Sequence, residues 1–141
     1  MLRTKRVAIE QTRMKYVVDT PVDPDADILA LPVPALGITL HLEPTYPFSP
    51  PSILREGKYI ETALQEQYDR ILPLKKAYHL MVPCVCCSPI RCNWCPTYGI
   101  REVLDEYVKV TTRLNQLEGY ADVLPNLPFD GAVHSCILNF L

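Results

Sequence analysis

Apolar and polar residues alternate most cleanly a quarter of the way along the chain. Leu36, Ile38, Leu40 and Leu42 take every second position, with Gly37, Thr39, His41 and Glu43 between them. A period of two marks a strand with one buried face, and it puts His41 on the outer face as a structural residue. Ile28 to Val33 is a short apolar run that reads as a buried strand; Pro32 and Pro34 place it at a sheet edge. Ser52-Ile53-Leu54 reads as a further short strand. Helical spacing takes over elsewhere. Residues 1–18 read as a helix with apolar and basic faces. Residues 58–72 put Ile60, Ala63, Leu64, Tyr68, Ile71 and Leu72 on one face, with Glu61, Glu66 and Asp69 opposite and Pro73 as the stop. The longest helix is expected over 98–119. Its stripe is Ile100, Val103, Leu104, Tyr107, Val108, Thr111 and Leu114, with Thr97 as N-cap and Gly119 as its end.

These elements predict an α+β domain: a four-stranded antiparallel sheet flanked by the first and the longest helix. Between the strands stands Pro44-Thr45-Tyr46-Pro47-Phe48-Ser49-Pro50-Pro51. Four prolines in eight residues fix φ and remove donors, so no ladder persists there. The expected result is a stiff corner with Tyr46 and Phe48 packed beneath it, their rings supplying the apolar area that anchors it. The chain of 141 residues is read as a single domain, with 118–141 as an atypical proline-rich, apolar tail.

Charge narrows the function classes. The net charge of -2 argues against a nucleic-acid binder, which usually shows a basic domain. No apolar run approaches the roughly 20 residues needed to span a membrane. The basic start, Met1 to Arg6, lacks the apolar core of a secretory signal, so a reducing cytoplasmic or nuclear compartment is expected. Arg3, Lys5, Arg6, Arg13 and Lys15 stand against Glu10 in the first helix. They read as a solvated face or, functionally, as a dock for an acidic partner surface.

Candidate chemistry concentrates in Cys84-Val85-Cys86-Cys87-Ser88-Pro89-Ile90-Arg91-Cys92-Asn93-Trp94-Cys95-Pro96. The stretch holds five of the six cysteines and the only tryptophan, and its prolines keep it as loop. A thiolate serves as nucleophile, metal ligand or half of a disulfide. Cys92 and Cys95 have the spacing of one zinc knuckle. Two further ligands from Cys84, Cys86, Cys87 or His79 would complete a tetrahedron, although Cys-x-Cys-Cys is not the usual half-site.

Two motifs resemble those of one known family. Tyr46-Pro47-Phe48-Ser49-Pro50-Pro51 is similar to the Tyr-Pro-Phe-x-Pro-Pro corner of ubiquitin-conjugating enzymes. Trp94-Cys95-Pro96, followed by Ile100 and Val103-Leu104, resembles that family's Trp-Ser-Pro pattern before a helix. The family's catalytic cysteine lies eight residues before the tryptophan and follows an aliphatic residue; here that position is Cys86, after Val85. Tyr78-His79 resembles the start of the family's Tyr-His-Pro-Asn segment, but Leu80-Met81 replaces Pro-Asn. The resemblance is dense only at 46–51 and 85–104.

It implies a UBC-like fold and a cysteine nucleophile, Cys86. The Cys86 thiolate would carry ubiquitin or a ubiquitin-like protein as a thioester, received from an activating enzyme, and pass it to a lysine amine. His79 is the nearby polar candidate, with Lys75, Lys76 and Arg91 as further cations. A ligase or other protein partner is expected on Arg3, Lys5, Arg6, Tyr46, Phe48, Pro50 and Pro96. No cofactor is required by that chemistry. Two alternatives stand beside it. One is a catalytically inactive interaction module of the same fold, motivated by the missing asparagine. The other is a structural zinc site on Cys84, Cys87, Cys92 and Cys95.

Overall fold

A computed structural model describes residues 2–12, 26–78 and 94–121. Its elements run α1 (Leu2–Gln11), β1 (Leu29–Val33), a 3-10 turn (Pro34–Leu36), β2 (Ile38–Leu42), β3 (Ser52–Arg55), β4 (Lys58–Tyr59), α2 (Ile60–Ala63), α3 (Gln65–Tyr78) and α4 (Ile100–Ala121). The four strands form one antiparallel sheet in chain order, with Leu31 opposite Leu40 and Leu40 opposite Ile53. The α+β class and the four-stranded antiparallel sheet with flanking helices are those the sequence predicts. The alternation in β2 works as its period requires. Ile38, Leu40 and Leu42 are buried with Leu29, Leu31, Val33 and Ile53, while Thr39 and His41 face outward. Gly37 takes φ +65 to turn the chain from the 3-10 turn into β2, a conformation most side chains resist.

Helices cover the buried face of the sheet. Ile100, Val103, Leu104, Tyr107, Val110, Leu114 and Leu117 of α4 join Ile60, Leu64, Ile71, Leu74 and Val7 in one continuous core. Five of the seven expected stripe residues, Ile100, Val103, Leu104, Tyr107 and Leu114, are buried; Val108 and Thr111 are only half-buried, and Val110 and Leu117 complete the stripe. Half-buried Thr111 is accommodated in mid-helix because its hydroxyl donates to the Tyr107 carbonyl at 2.9 Å. A polar clamp fixes α3 along α4. Gln67 Nε2 donates to Asn115 Oδ1 at 2.6 Å and to Glu118 Oε2 at 2.7 Å, and Arg70 Nε meets Glu118 Oε1 at 2.6 Å.

Several boundaries differ from expectation. α1 ends at Gln11, where the Thr12 hydroxyl and N–H both bond the Ile9 carbonyl; residues 13–18 lie outside the described set. The segment 58–72 is not one helix. Glu56 at φ 53 and Gly57 at φ 78 make a tight turn, and Lys58-Tyr59 pair back onto Leu54-Arg55 before any helix begins. The break at Leu64 then resets the helical phase, leaving Ile60, Leu64 and Ile71 buried but Leu72 exposed. Pro73 does not stop α3. The carbonyl its ring deprives of a partner belongs to Asp69, on the exposed side. Gly119 does not end α4 either, because Leu117 is buried and Tyr120 packs on the core, carrying the helix to Ala121. Among the described residues no helix is long and apolar enough to cross a membrane.

Candidate functional site

The proline corner is a pair of overlapping turns: Tyr46 N–H bonds the Glu43 carbonyl at 3.0 Å and Phe48 N–H the Thr45 carbonyl at 2.8 Å. The Tyr46–Pro47 peptide is cis. Two turns in succession send one ring in and the next out. Tyr46 is 1% exposed, as expected, whereas Phe48 is 68% exposed, against expectation. Phe48 therefore anchors nothing in the core and presents its ring to solvent.

Beneath the corner, Tyr46 meets the end of α1. Its hydroxyl donates to the Glu10 carboxylate, lying 2.6 Å from Oε2 and 2.8 Å from Oε1. Burial first, and the bond to Glu10 second, hold the Tyr46 phenol well above the usual tyrosine range. Glu10 also pairs with Arg6, whose Nε lies 3.1 Å from Oε1, and Arg6 Nη2 donates to the Tyr98 carbonyl at 2.9 Å.

The last residues of the cysteine stretch, with the turn that follows them, close the site. Trp94 Nε1 donates to the Pro47 carbonyl at 2.7 Å. The Trp94 ring lies 6.2 Å from Tyr46 and, edge-on, 5.8 Å from Tyr98. Residues 95–98 form a turn, with Tyr98 N–H on the Cys95 carbonyl at 2.9 Å. Gly99, not Thr97, precedes the first residue of α4, and its N–H donates to Glu102 Oε2 at 2.8 Å, one half of a capping box. Thr97 instead lies 3.1 Å from Cys95 Sγ through its hydroxyl. Bonds from the Thr97 hydroxyl and then from its backbone hold the half-exposed Cys95 thiol below the usual cysteine range. An open cleft of about 500 Å³ runs between α1 and the start of α4, lined by Arg6, Ile9, Glu10, Thr97, Arg101 and Glu102 among others.

The sequence-derived candidates divide three ways. Lys5, Phe48 and Pro96 are exposed, and Arg6 and Pro50 half-buried. Arg3 is not a solvated cation. It is 1% exposed and its guanidinium donates to the carbonyls of Ala26, Asp27 and Leu42 at 2.7, 2.8 and 3.1 Å, bolting α1 to the segment that leads into β1 and to the end of β2. Arg3 and Tyr46 thus offer a partner no surface. Cys86, His79, Cys84, Cys87, Cys92 and Arg91 lie outside the described residues, so Cys95 alone of the alternative metal ligands is placed; Lys75 and Lys76 are exposed in the last turn of α3. Sequence reading missed Glu10 and Gly99 as members of the site. The one local signal was the four-residue spacing from Arg6 to Glu10.

Compared with protein-family models, with curated proteins and with solved structures, the chain has no match.

Proposed function

We propose that the chain is a UBC-like conjugating enzyme for ubiquitin or a ubiquitin-like protein, with Cys86 as its nucleophile. The observation that carries this reading is the hydrogen bond from Trp94 Nε1 to the Pro47 carbonyl. It joins the two motifs in which the family resemblance resides, 47 residues apart in the chain. The corner and the exit of the cysteine stretch are thereby one unit, held against α1 and leading into α4. In the first step the Cys86 thiolate attacks the carbonyl of the modifier's thioester on the activating enzyme. A new C–S bond forms and the activating enzyme's thiolate leaves. In the second, a lysine amine attacks that carbonyl, the C–N bond forms, the amine gives up a proton and Cys86 leaves as thiolate. His79 is the candidate group for handling that proton. Met81 stands where the family has asparagine and donates no hydrogen bond, so discharge suffers more than loading. Lys5, Arg6, Phe48, Pro50 and Pro96 form the surface offered to activating enzyme or ligase.

The test is incubation with activating enzyme, ATP and a panel of ubiquitin-like modifiers, read on a non-reducing gel. A thiol-sensitive adduct is expected. Cys86→Ser should make it reductant-stable or abolish it, while Cys84→Ser, Cys87→Ser, Cys92→Ser and Cys95→Ser leave it in place. An adduct surviving Cys86→Ala refutes the assignment. A folded protein that loads no modifier would move the reading to the interaction module. About one bound zinc per chain, with loosening on chelation, would move it to the structural metal site.

A further inference from the structure

Glu10 is the one described side chain that bonds or abuts every wall of the site. Its side chain is 11% exposed, too enclosed for an ordinary surface ion pair. Three paths lead from it to the same six residues, 94–99. The first passes through the Tyr46 hydroxyl and the adjoining Pro47 carbonyl to Trp94, where the segment begins. The second passes through Arg6 to the Tyr98 carbonyl. The third is direct: Gly99, where the segment ends, lies against Glu10 so closely that a Cβ there would collide with Oε1.

We infer that Glu10 is a positioning residue for the transfer reaction, fixing the segment Trp94–Gly99 on which the cysteine stretch ends. This rests on the conjugating-enzyme reading for its functional part only. Trp94 lies eight residues after Cys86, so a shift of the segment moves the point to which the chain carrying the nucleophile is attached. Reactions held to a near-attack geometry lose about a hundredfold in rate for a displacement of about 1 Å. Among the described residues, the effect of Glu10 is carried through Tyr46, Arg6 and Gly99.

The experiment compares the full chain with Glu10→Ala, Glu10→Gln and Tyr46→Phe. Leu117→Val, in the buried far part of α4, controls for loss of stability alone. Trp94 is the only tryptophan, so its emission reports the segment directly. Glu10→Ala should shift that emission to the red and expose it to acrylamide. Thioester formation should fall in kcat by about tenfold or more, with KM for the activating enzyme changed by less than about twofold. Glu10→Gln keeps the length and one acceptor for Tyr46, so it should recover part of both effects and serve if Glu10→Ala does not fold. Tyr46→Phe should act in the same direction while leaving the Arg6–Glu10 pair in place, which separates positioning from any change at the docking surface. Leu117→Val should lower the melting temperature and move neither readout. Unchanged Trp94 emission in folded Glu10→Ala and Glu10→Gln overturns the inference, and so does altered emission with undiminished kcat. If the unsubstituted protein loads no modifier, the conjugating reading fails, and Trp94 emission alone decides whether Glu10 holds the segment.

Discussion

Gly99→Ala should be costly, although the change adds only a methyl group. The new Cβ would strike Glu10 Oε1, and would stand 3.1 Å from Glu10 Cδ and 3.2 Å from Glu102 Oε2. A carboxylate at the end of a flexible side chain ordinarily swings away at little cost. This one is held by the Tyr46 hydroxyl and by Arg6 Nε. If Glu10 moves, the buried Tyr46 hydroxyl loses a charge-assisted bond, which is worth about 1.5–3 kcal/mol. If the backbone moves instead, it pulls on the Gly99–Glu102 cap and on the Arg6–Tyr98 bond. Either route leads to about 1–3 kcal/mol, the usual range for a methylene forced into filled space. For a chain of this length that is roughly 3–5 °C in melting temperature per kcal/mol.

The assay is chemical or thermal unfolding followed by circular dichroism, run as a double-mutant cycle with Glu10→Ala. With the carboxylate gone the added methyl has room, so Gly99→Ala should cost less there by at least about 0.5 kcal/mol. A neutral or stabilising Gly99→Ala refutes the reasoning. So does an equal cost in both backgrounds, which would place the constraint in the backbone of residue 99 rather than in Glu10.

Gly119→Ala, in the same helix, should do the opposite: among the described residues no atom beyond its own helix backbone and chain neighbours lies within 4 Å of the added Cβ, and a helical glycine replaced by alanine gains about 0.5–1 kcal/mol, measurable as a raised unfolding midpoint. Arg3→Met should cost about 2–4 kcal/mol by leaving the carbonyl of Leu42 buried without its partner and those of Ala26 and Asp27 to water. Arg3→Lys should recover only part of that, because an ammonium lacks the fork that reaches three carbonyls; equal stability of Arg3→Met and the parent in urea would refute the bolt. Site-resolved alkylation of Cys95 should reach half its limiting rate at a lower pH than an ordinary cysteine. Thr97→Val should move that midpoint upward, since the hydroxyl is the larger cause of the depression; an unmoved midpoint would refute its role.

What was legible in the sequence is what depends on neighbours in the sequence. β2 was legible because one buried face imposes a strict alternation, and the α4 stripe because one helical face packs on the sheet. β4 was not. It has two residues, and its turn puts Glu56 rather than asparagine at the first positive φ, so nothing local announces a hairpin. Pro73 reads as a stop only if the carbonyl it orphans is buried, and burial is a tertiary fact. Arg3 and Glu10 show the same limit. In the sequence both belong to a charged helix face. In the fold one is enclosed by backbone carbonyls from the approach to β1 and the end of β2, the other by a tyrosine 36 residues away and a glycine at position 99.

That limit falls unevenly on the site. The corner and the tryptophan segment are each recognisable as short strings, because each encodes its own turn. The bond that makes them one unit uses the Pro47 carbonyl, a backbone atom with no side-chain signature. The partner that holds both, Glu10, lies in a third segment where it reads as a lone acid among bases. A motif search therefore finds the parts of such a site and misses what couples them. Phe48 makes the converse point. It belongs to the same string as Tyr46, yet the two alternate turns of the corner give one ring to the core and the other to solvent. An exposed aromatic on a stiff corner costs little entropy to immobilise, which suits it to contact with a partner. The string thus specifies an exposed ring and a core anchor together, and only the direction of the turns tells them apart.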